Sequence, residues 1–125
     1  MSITIGVFRR ALYEAENSTY KFRIGAVIFK GSKIISSGRN EIRSNAIHPK
    51  YKKFLNTLHA EQNALIGLDW TQLKGCSILV IRINKNDELT IAKPCKMCMA
   101  LLDYVGIKKI YYSESDGTIK KLKRN

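Results

Sequence analysis

The sequence has no long apolar run and few cysteines. Residues 1–22 interrupt their apolar positions with charged side chains such as Arg9, Arg10 and Glu14, so they lack the continuous apolar core of a signal peptide or a membrane span. Three cysteines are an odd number for a secreted scaffold held together by disulfides. We therefore expect a cytoplasmic protein that works in a reducing compartment and has no membrane partner.

Acidic residues are also scarce. The chain has 10 Asp and Glu against 22 Lys and Arg, which gives a formal net charge of +12. A field of that sign attracts phosphate groups, whether they belong to a nucleotide or to a polymer. Residues 50–54 (KYKKF) form the strongest basic and aromatic cluster. Such a cluster is typical either of a groove that follows phosphates or of an ordinary solvated surface.

Low-complexity segments and internal repeats are absent, and hydrophobic residues make up 45% of the sequence. This is the composition of a folded globular protein. A chain of 125 residues can bury one hydrophobic core but is too short for two of ordinary size. We predict a single domain over residues 1–125, in which the basic tail 113–125 either adds a short edge strand or frays.

The spacing of apolar residues predicts alternating helices and strands. Apolar positions three and four apart indicate helices, short β-rich runs indicate strands, and Lys30-Gly31-Ser32 indicates a hairpin turn. The predicted helices are Thr4–Ala15, His59–Leu68 and Pro94–Val105; the predicted strands are Gly25–Phe29, Lys33–Ser37, Ser77–Ile83, Lys108–Tyr112 and, in the tail, Thr118–Leu122; residues 39–57 are predicted to form a long surface loop. This order implies an α/β layer structure in which helices pack against a mixed sheet.

Cys95 and Cys98 carry the first chemical motif. With Pro94 at the predicted start of a helix, both sulfurs project from its first turn on the same side and can share one metal ion. The free N–H groups and the positive dipole end of that helix are expected to lower the thiol pKa values, and thiolate is the form that binds zinc.

A zinc site needs further ligands, and the candidates are His59, His48 and Cys76. His59 is the strongest, because it stands at the start of its own predicted helix. Two helix N-termini that meet over the edge of one sheet would bring His59 to Cys95 and Cys98. Three protein ligands leave a tetrahedral zinc ion with one open position for water, as in catalytic sites. We therefore predict one catalytic Zn²⁺ per chain.

Glu61 is the predicted proton carrier. On a regular helix, residues two apart point in roughly opposite directions, about 200° around the axis. The pair His59 and Glu61 therefore works only where the helix begins, if His59 does not yet follow helical angles. There the carboxylate can accept a proton from an activated water and pass it on. The spacing is the H-x-E…P-C-x-x-C pattern of zinc nucleobase deaminases.

These motifs resemble the cytidine and deoxycytidylate deaminase superfamily. The matching segments are HAE at 59–61, PCKMC at 94–98 and Gly38-Arg39-Asn40, which is similar to a G-x-N segment whose asparagine contacts the nucleoside. The resemblance extends from about Arg23 to Tyr112.

The resemblance implies a three-layer α/β/α sandwich with a mixed sheet of about five strands. It also implies hydrolytic removal of an exocyclic amine and assembly into homo-oligomers. His59, Cys95 and Cys98 match the zinc ligands and Glu61 the proton shuttle; Asn40 and Ala60 match substrate contacts, and Phe22, Tyr51 and Tyr112 are candidates for stacking on the base.

Several functions remain open at this stage. The first is deamination of cytosine in a free nucleotide with a deoxycytidylate-like substrate, favoured by HAEQNAL at 59–65. The second is deamination of cytosine or adenine within single-stranded DNA or RNA, favoured by the charge and by PCKMC. The third is a non-catalytic, zinc-stabilised nucleic-acid-binding module, with His48 or Cys76 as fourth ligand. A thioredoxin-like redox pair is a further reading of Cys95 and Cys98.

Overall fold

The part of the chain that the structure describes contains three α-helices and eight strands. The structure is a computed structural model, and it describes residues 3–42 and 57–123. The helices are α1 (Ile5–Glu16), α2 (Ala60–Leu65) and α3 (Lys96–Tyr104), with a short 3₁₀ turn at Trp70–Gln72. The strands are β1 (Arg23–Lys30), β2 (Lys33–Arg39), β3 (Glu41–Ile42), β4 (Thr57–Leu58), β5 (Ser77–Ile83), β6 (Leu89–Thr90), β7 (Lys109–Ser113) and β8 (Ile119–Lys121).

The main sheet is mixed. Its order is β2-β1-β5-β7-β8, and β6 pairs with the end of β5. Strands β5 and β7 are parallel, whereas the other pairs are antiparallel. A parallel pair needs a crossover connection, and α3 forms part of it. The short strands β3 and β4 pair with each other outside the main sheet.

Both faces of the sheet are covered by helices. Val27 and Phe29 of β1 belong to a core cluster with α1 residues, whereas Ala26 and Ile28 belong to a second cluster with α2 and α3 residues. This alternation follows from the two-residue period of a strand. The predicted α/β/α sandwich with a mixed sheet is confirmed, with six strands in the main sheet rather than about five. Within the described ranges, no helix has the length and apolar character needed to cross a bilayer.

Helix and strand ends differ from prediction by up to three residues. Strand β5 has the predicted bounds. Helix α2 ends at Leu65 rather than Leu68, because Ile66 is already extended (ψ 131°) and Gly67 has φ +78°. The ends of the predicted loop 39–57 pair as β3 and β4; residues 43–56 lie outside the described part.

Gly38 lets α2 lie directly on β2. A Cβ at position 38 would lie 2.5 Å from the backbone nitrogen of Ala64 and 2.9 Å from the carbonyl oxygen of Ala60. Both atoms belong to the backbone of α2, so they move only if the helix moves. The hydroxyl of Ser36 donates to the carbonyl of Ala64 at 2.7 Å and fixes the same contact.

We predict that Gly38→Ala lowers the free energy of unfolding by about 1–3 kcal/mol, because added volume at a closed backbone contact strains its surroundings. Urea denaturation at constant m-value measures the change. The matched control is Gly6→Ala on α1, where the nearest atom to a new Cβ is 3.9 Å away and alanine favours the helix. Equal stability of the two variants would contradict the close seating of α2.

Candidate zinc and active site

His59 is the residue that precedes α2. Its backbone is extended, with φ −69° and ψ 151°, so it does not follow helical angles. The geometric condition placed on the pair His59 and Glu61 is therefore met. Glu61, in the first turn of α2, is buried with 4% of its surface exposed.

Hydrogen bonds fix the start of α2 at this point. The backbone N–H of His59 donates to Oε1 of Gln62 at 3.1 Å, and that of Ala60 donates to Oδ1 of Asn40 at 2.7 Å. Asn40 is itself held, because its backbone N–H donates to the carbonyl of Ile24 and its carbonyl accepts from the hydroxyl of Ser18. Asn40 thus positions the chain next to His59.

Cys95 occupies the corresponding position before α3. Its backbone is extended (φ −71°, ψ 166°), and its Sγ accepts the backbone N–H of Cys98 at 3.5 Å. The helix begins at Lys96, so the prediction that Pro94 starts it is wrong by two residues. The two sulfurs still share one side, because a residue at the N-cap faces the third residue of the helix.

The two helix starts converge. Nδ1 of His59 lies 3.3 Å from Sγ of Cys98 and 3.9 Å from Sγ of Cys95, and the three ligand atoms all lie within 4.8 Å of one another. With metal–ligand bonds of about 2.0–2.3 Å, tetrahedral coordination places a nitrogen and a sulfur ligand about 3.6 Å apart. One nitrogen and two sulfurs at these distances fit a zinc ion.

Burial controls the protonation of the neighbouring groups. It raises the pKa of the Glu61 carboxyl, and smaller effects of its own backbone N–H, of His59 and of Cys98 oppose this rise. Burial also raises the pKa of the Cys98 thiol, followed by repulsion from Glu61. The expectation that the helix terminus lowers the thiol pKa is thus wrong for Cys98. A bound divalent cation reverses that direction, because a coordinating thiol is deprotonated outright.

The other predicted substrate contacts lie in different surroundings. Ala60 is fully buried at the start of α2, and Phe22 is 41% exposed before β1. Tyr112 on β7 packs against the core cluster between the sheet and α2 and α3. Tyr51 lies outside the described residues.

The fourth-ligand candidates do not join the group within the described ranges. Cys76 is buried beside Gln72 and directly precedes β5, and a strand of seven residues separates it by about 20 Å from the other end of that strand. It is not among the three clustered ligands. His48 lies outside the described residues.

Sequence reasoning missed three supporting residues. Besides Gln62, Asn63 donates from Nδ2 to the carbonyl of Arg39 at 3.0 Å and to Oε1 of Glu41 at 2.6 Å. Ser113 is fully buried; its Oγ accepts the backbone N–H of Arg82 and donates to the carbonyl of Thr90. The glutamine three residues after His59 was the available sign for a helix cap. An isolated serine at the end of a strand offers no such sign.

We predict that Cys95→Ala weakens zinc affinity more than tenfold, because even loss of a residue that only supports a ligand costs about 10–100-fold. Cys76→Ala removes a thiol at the far end of β5 and is the matched control. Competition with a chromogenic chelator measures the affinity, and circular dichroism checks folding. If Cys76→Ala loses zinc while Cys95→Ala retains it, the assignment of ligands is wrong.

Comparisons with known proteins agree with this geometry. A family model described as "Cytidine and deoxycytidylate deaminase zinc-binding region" matches residues 1–114. The chain is also 34% identical over 97 residues to an "Uncharacterized deaminase in luxG 3'region" of Aliivibrio fischeri. The alignment covers 74% of this chain but only 58% of that relative, so the chain spans less than two thirds of the relative's length.

Solved structures share the fold. The dCMP deaminase of cyanophage S-TIM5 in apo form is similar with a TM-score of 0.61 and 25% identity, over 89% of this chain and 82% of that one. The cytidine deaminase of Burkholderia pseudomallei matches with a TM-score of 0.67, over 96% of this chain and 92% of that one. At 17% identity, the second likeness concerns the fold alone. The family match over residues 1–114 shows that the chain belongs to the cytidine and deoxycytidylate deaminase family.

Proposed function

We propose that the protein is a zinc-dependent hydrolytic deaminase of cytosine in a nucleotide, with a deoxycytidylate-like or cytidylate-like substrate that it converts to uracil with release of ammonia. The observation that carries this proposal is a buried carboxylate beside three clustered zinc-type ligands. A structural zinc site has no use for that carboxylate, whereas hydrolysis of an amine requires a group that moves protons.

His59 through Nδ1, Cys95 and Cys98 would hold the zinc ion. When bound, zinc supplies Lewis-acid chemistry that activates water as a nucleophile at neutral pH. Its charge also offsets the cost of burying the Cys98 thiolate next to Glu61, both of which are more than nine-tenths buried.

Glu61 would move the protons. It accepts one proton from the attacking water and delivers it to the ring nitrogen beside the reacting carbon. Oxygen adds to that carbon, and the bond to the exocyclic nitrogen breaks after Glu61 passes the second proton to the departing amine. The products are uracil and ammonia, so every proton taken from water is returned. Burial of Glu61 restricts exchange of these protons with bulk water.

We predict that Glu61→Gln lowers kcat by about 10²–10⁴, the usual contribution of a general acid–base group, and leaves the zinc content unchanged. The amide keeps the shape of the side chain but cannot accept a proton. Glu16→Gln, at the exposed C-terminal end of α1, is the matched control. Zinc content by elemental analysis and turnover by loss of one amine are measured on the same samples. A fully active Glu61→Gln protein would refute the role of Glu61.

A second candidate is deamination within single-stranded DNA or RNA, and the net charge of +12 favours it. The two candidate functions differ in the size of the substrate. Binding of the larger substrate should depend more steeply on salt, because each phosphate contact adds to the slope of log affinity against log salt concentration.

Incubation of zinc-loaded protein with mononucleotides and with a cytosine-containing oligonucleotide separates these functions. We predict loss of one amine from the mononucleotide by mass spectrometry, with a weak dependence of KM on salt since one phosphate is bound. Deamination of the oligonucleotide alone, with a steep dependence on salt, would favour the second candidate.

A further inference from the structure

Arg82 lies on the sheet face that carries the site. Along β5, Ile78 and Val80 belong to the core cluster shared with α2 and α3, whereas Leu79 and Ile81 belong to the cluster shared with α1. Side chains alternate between the faces of a strand. Arg82 therefore projects from the same face as Val80, one step further toward the end of β5.

Arg82 also lies at the end of that face to which the N-termini of α2 and α3 point. Asn40, just after β2, bonds to Ala60 at the start of α2, and the backbone N–H of Gly75, just before β5, donates to the carbonyl of Gly106, just after α3. The N-termini of both helices thus point to the end of β2 and the end of β5. Arg82 is the penultimate residue of β5. β1 separates β5 from β2, so Arg82 is two strand spacings, about 10 Å, from the end of β2.

An aromatic ring holds the guanidinium of Arg82. Its Cζ lies 4.8 Å from the ring centroid of Phe22, and Nζ of Lys21 lies 5.2 Å from the same centroid. Tyr20 contacts Phe22 edge-on at 5.6 Å. Phe22 is 41% exposed, so the two cations gather around a ring that remains accessible. A cation over an aromatic face keeps its charge and its N–H donors.

Two other arginines at this end of the sheet form ion pairs with carboxylates. Arg23 pairs with Asp87 at 2.8 Å, and Arg39 pairs with Glu14 at 2.8 Å. Among residues 3–42 and 57–123, no carboxylate forms an ion pair with Arg82. Of these three arginines, Arg82 is the one whose charge the described residues leave uncompensated.

We propose that Arg82, seated on Phe22 and assisted by Lys21, binds the phosphate of a nucleoside monophosphate whose base is held at His59, Cys95, Cys98 and Glu61. This inference rests on the proposed deaminase function and makes the monophosphate, rather than the nucleoside, the preferred substrate. A guanidinium binds a phosphate through two parallel hydrogen bonds. Phe22 then serves as the platform for the cation and not as a stacking partner of the base.

The test compares deoxycytidylate with deoxycytidine. In Arg82→Gln, the ratio of kcat/KM for the monophosphate to that for the nucleoside should fall about ten- to a hundredfold, the value of hydrogen bonds to a charged group. Arg82→Lys keeps the positive charge and should lower this ratio less than Arg82→Gln does. Arg9→Gln, on the exposed side of α1, makes the same change in net charge and should leave the ratio unchanged.

Phe22→Leu distinguishes a platform from a stacking partner. If Phe22 supports Arg82, this variant lowers kcat/KM for the monophosphate more than for the nucleoside. An equal loss for both substrates would show that the ring stacks on the base and would overturn the assigned role of Phe22.

A binding measurement separates failure of this inference from failure of the proposed function. Calorimetry with deoxyuridylate needs no turnover, and its affinity should fall at least tenfold in Arg82→Gln. That loss supports the inference even if no substrate is deaminated, a result that would refute the proposed function alone. Equal affinity of the native and Arg82→Gln proteins, or no binding by the native protein, overturns the inference while deamination can still be observed.

Discussion

The site depends on one hydrogen bond at the beginning of α2. Oδ1 of Asn40 accepts the backbone N–H of Ala60 at 2.7 Å and satisfies one of the amides that a helix leaves unpaired in its first turn. Since Ala60 and Asn40 are both buried, loss of that acceptor would leave a buried donor without a partner. The bond fixes the start of α2, with His59 just before the helix and Glu61 in its first turn. The two side chains, which would point apart on a regular helix, can therefore face the same metal site.

The second constraint is electrostatic. Cys98 and Glu61 are both buried, and repulsion from the Glu61 carboxylate adds to the cost of a negative charge on the Cys98 sulfur. Buried like charges are unfavourable unless a cation compensates them. The imidazole of His59 faces both sulfurs and completes a set of nitrogen and sulfur donors that suits zinc. The buried negative charges that destabilise the metal-free protein therefore favour the binding of a divalent ion.

The sequence predicted those features that have a strong local pattern. The nearly continuous apolar run of β5 predicted the bounds Ser77–Ile83, and the motif residues His59, Cys95 and Cys98 meet as expected. Helix ends were less predictable, because α3 begins at Lys96 rather than at Pro94, with Cys95 as its cap, and a thiol is not a usual cap. The pKa of Cys98 was predicted in the wrong direction, since burial raises it and burial depends on tertiary packing that the local motif does not contain.

Contacts across the sheet were beyond the reach of a single sequence. The alternation within β5 places Arg82 on one face, but only the register of β1 against β5, with Ile24 opposite Arg82, brings Phe22 within reach of it. The same holds for Gly38, whose neighbours Ala60 and Ala64 are more than twenty residues away in sequence. The role of such a residue depends both on its identity and on the distant segment that packs against it. The periodicity of the sequence shows only which face of its own element the residue occupies.

The hydroxyl of Ser113 ties the end of β5 to the end of β6. It joins Arg82 on β5 to Thr90 on β6, and the carbonyl of Ser113 accepts the backbone N–H of Ala92. The chain is therefore anchored three residues before Cys95, downstream of the exposed turn at 85–88. A change in the length of that turn would therefore be taken up before the anchor and would leave the sulfur of Cys95 in place.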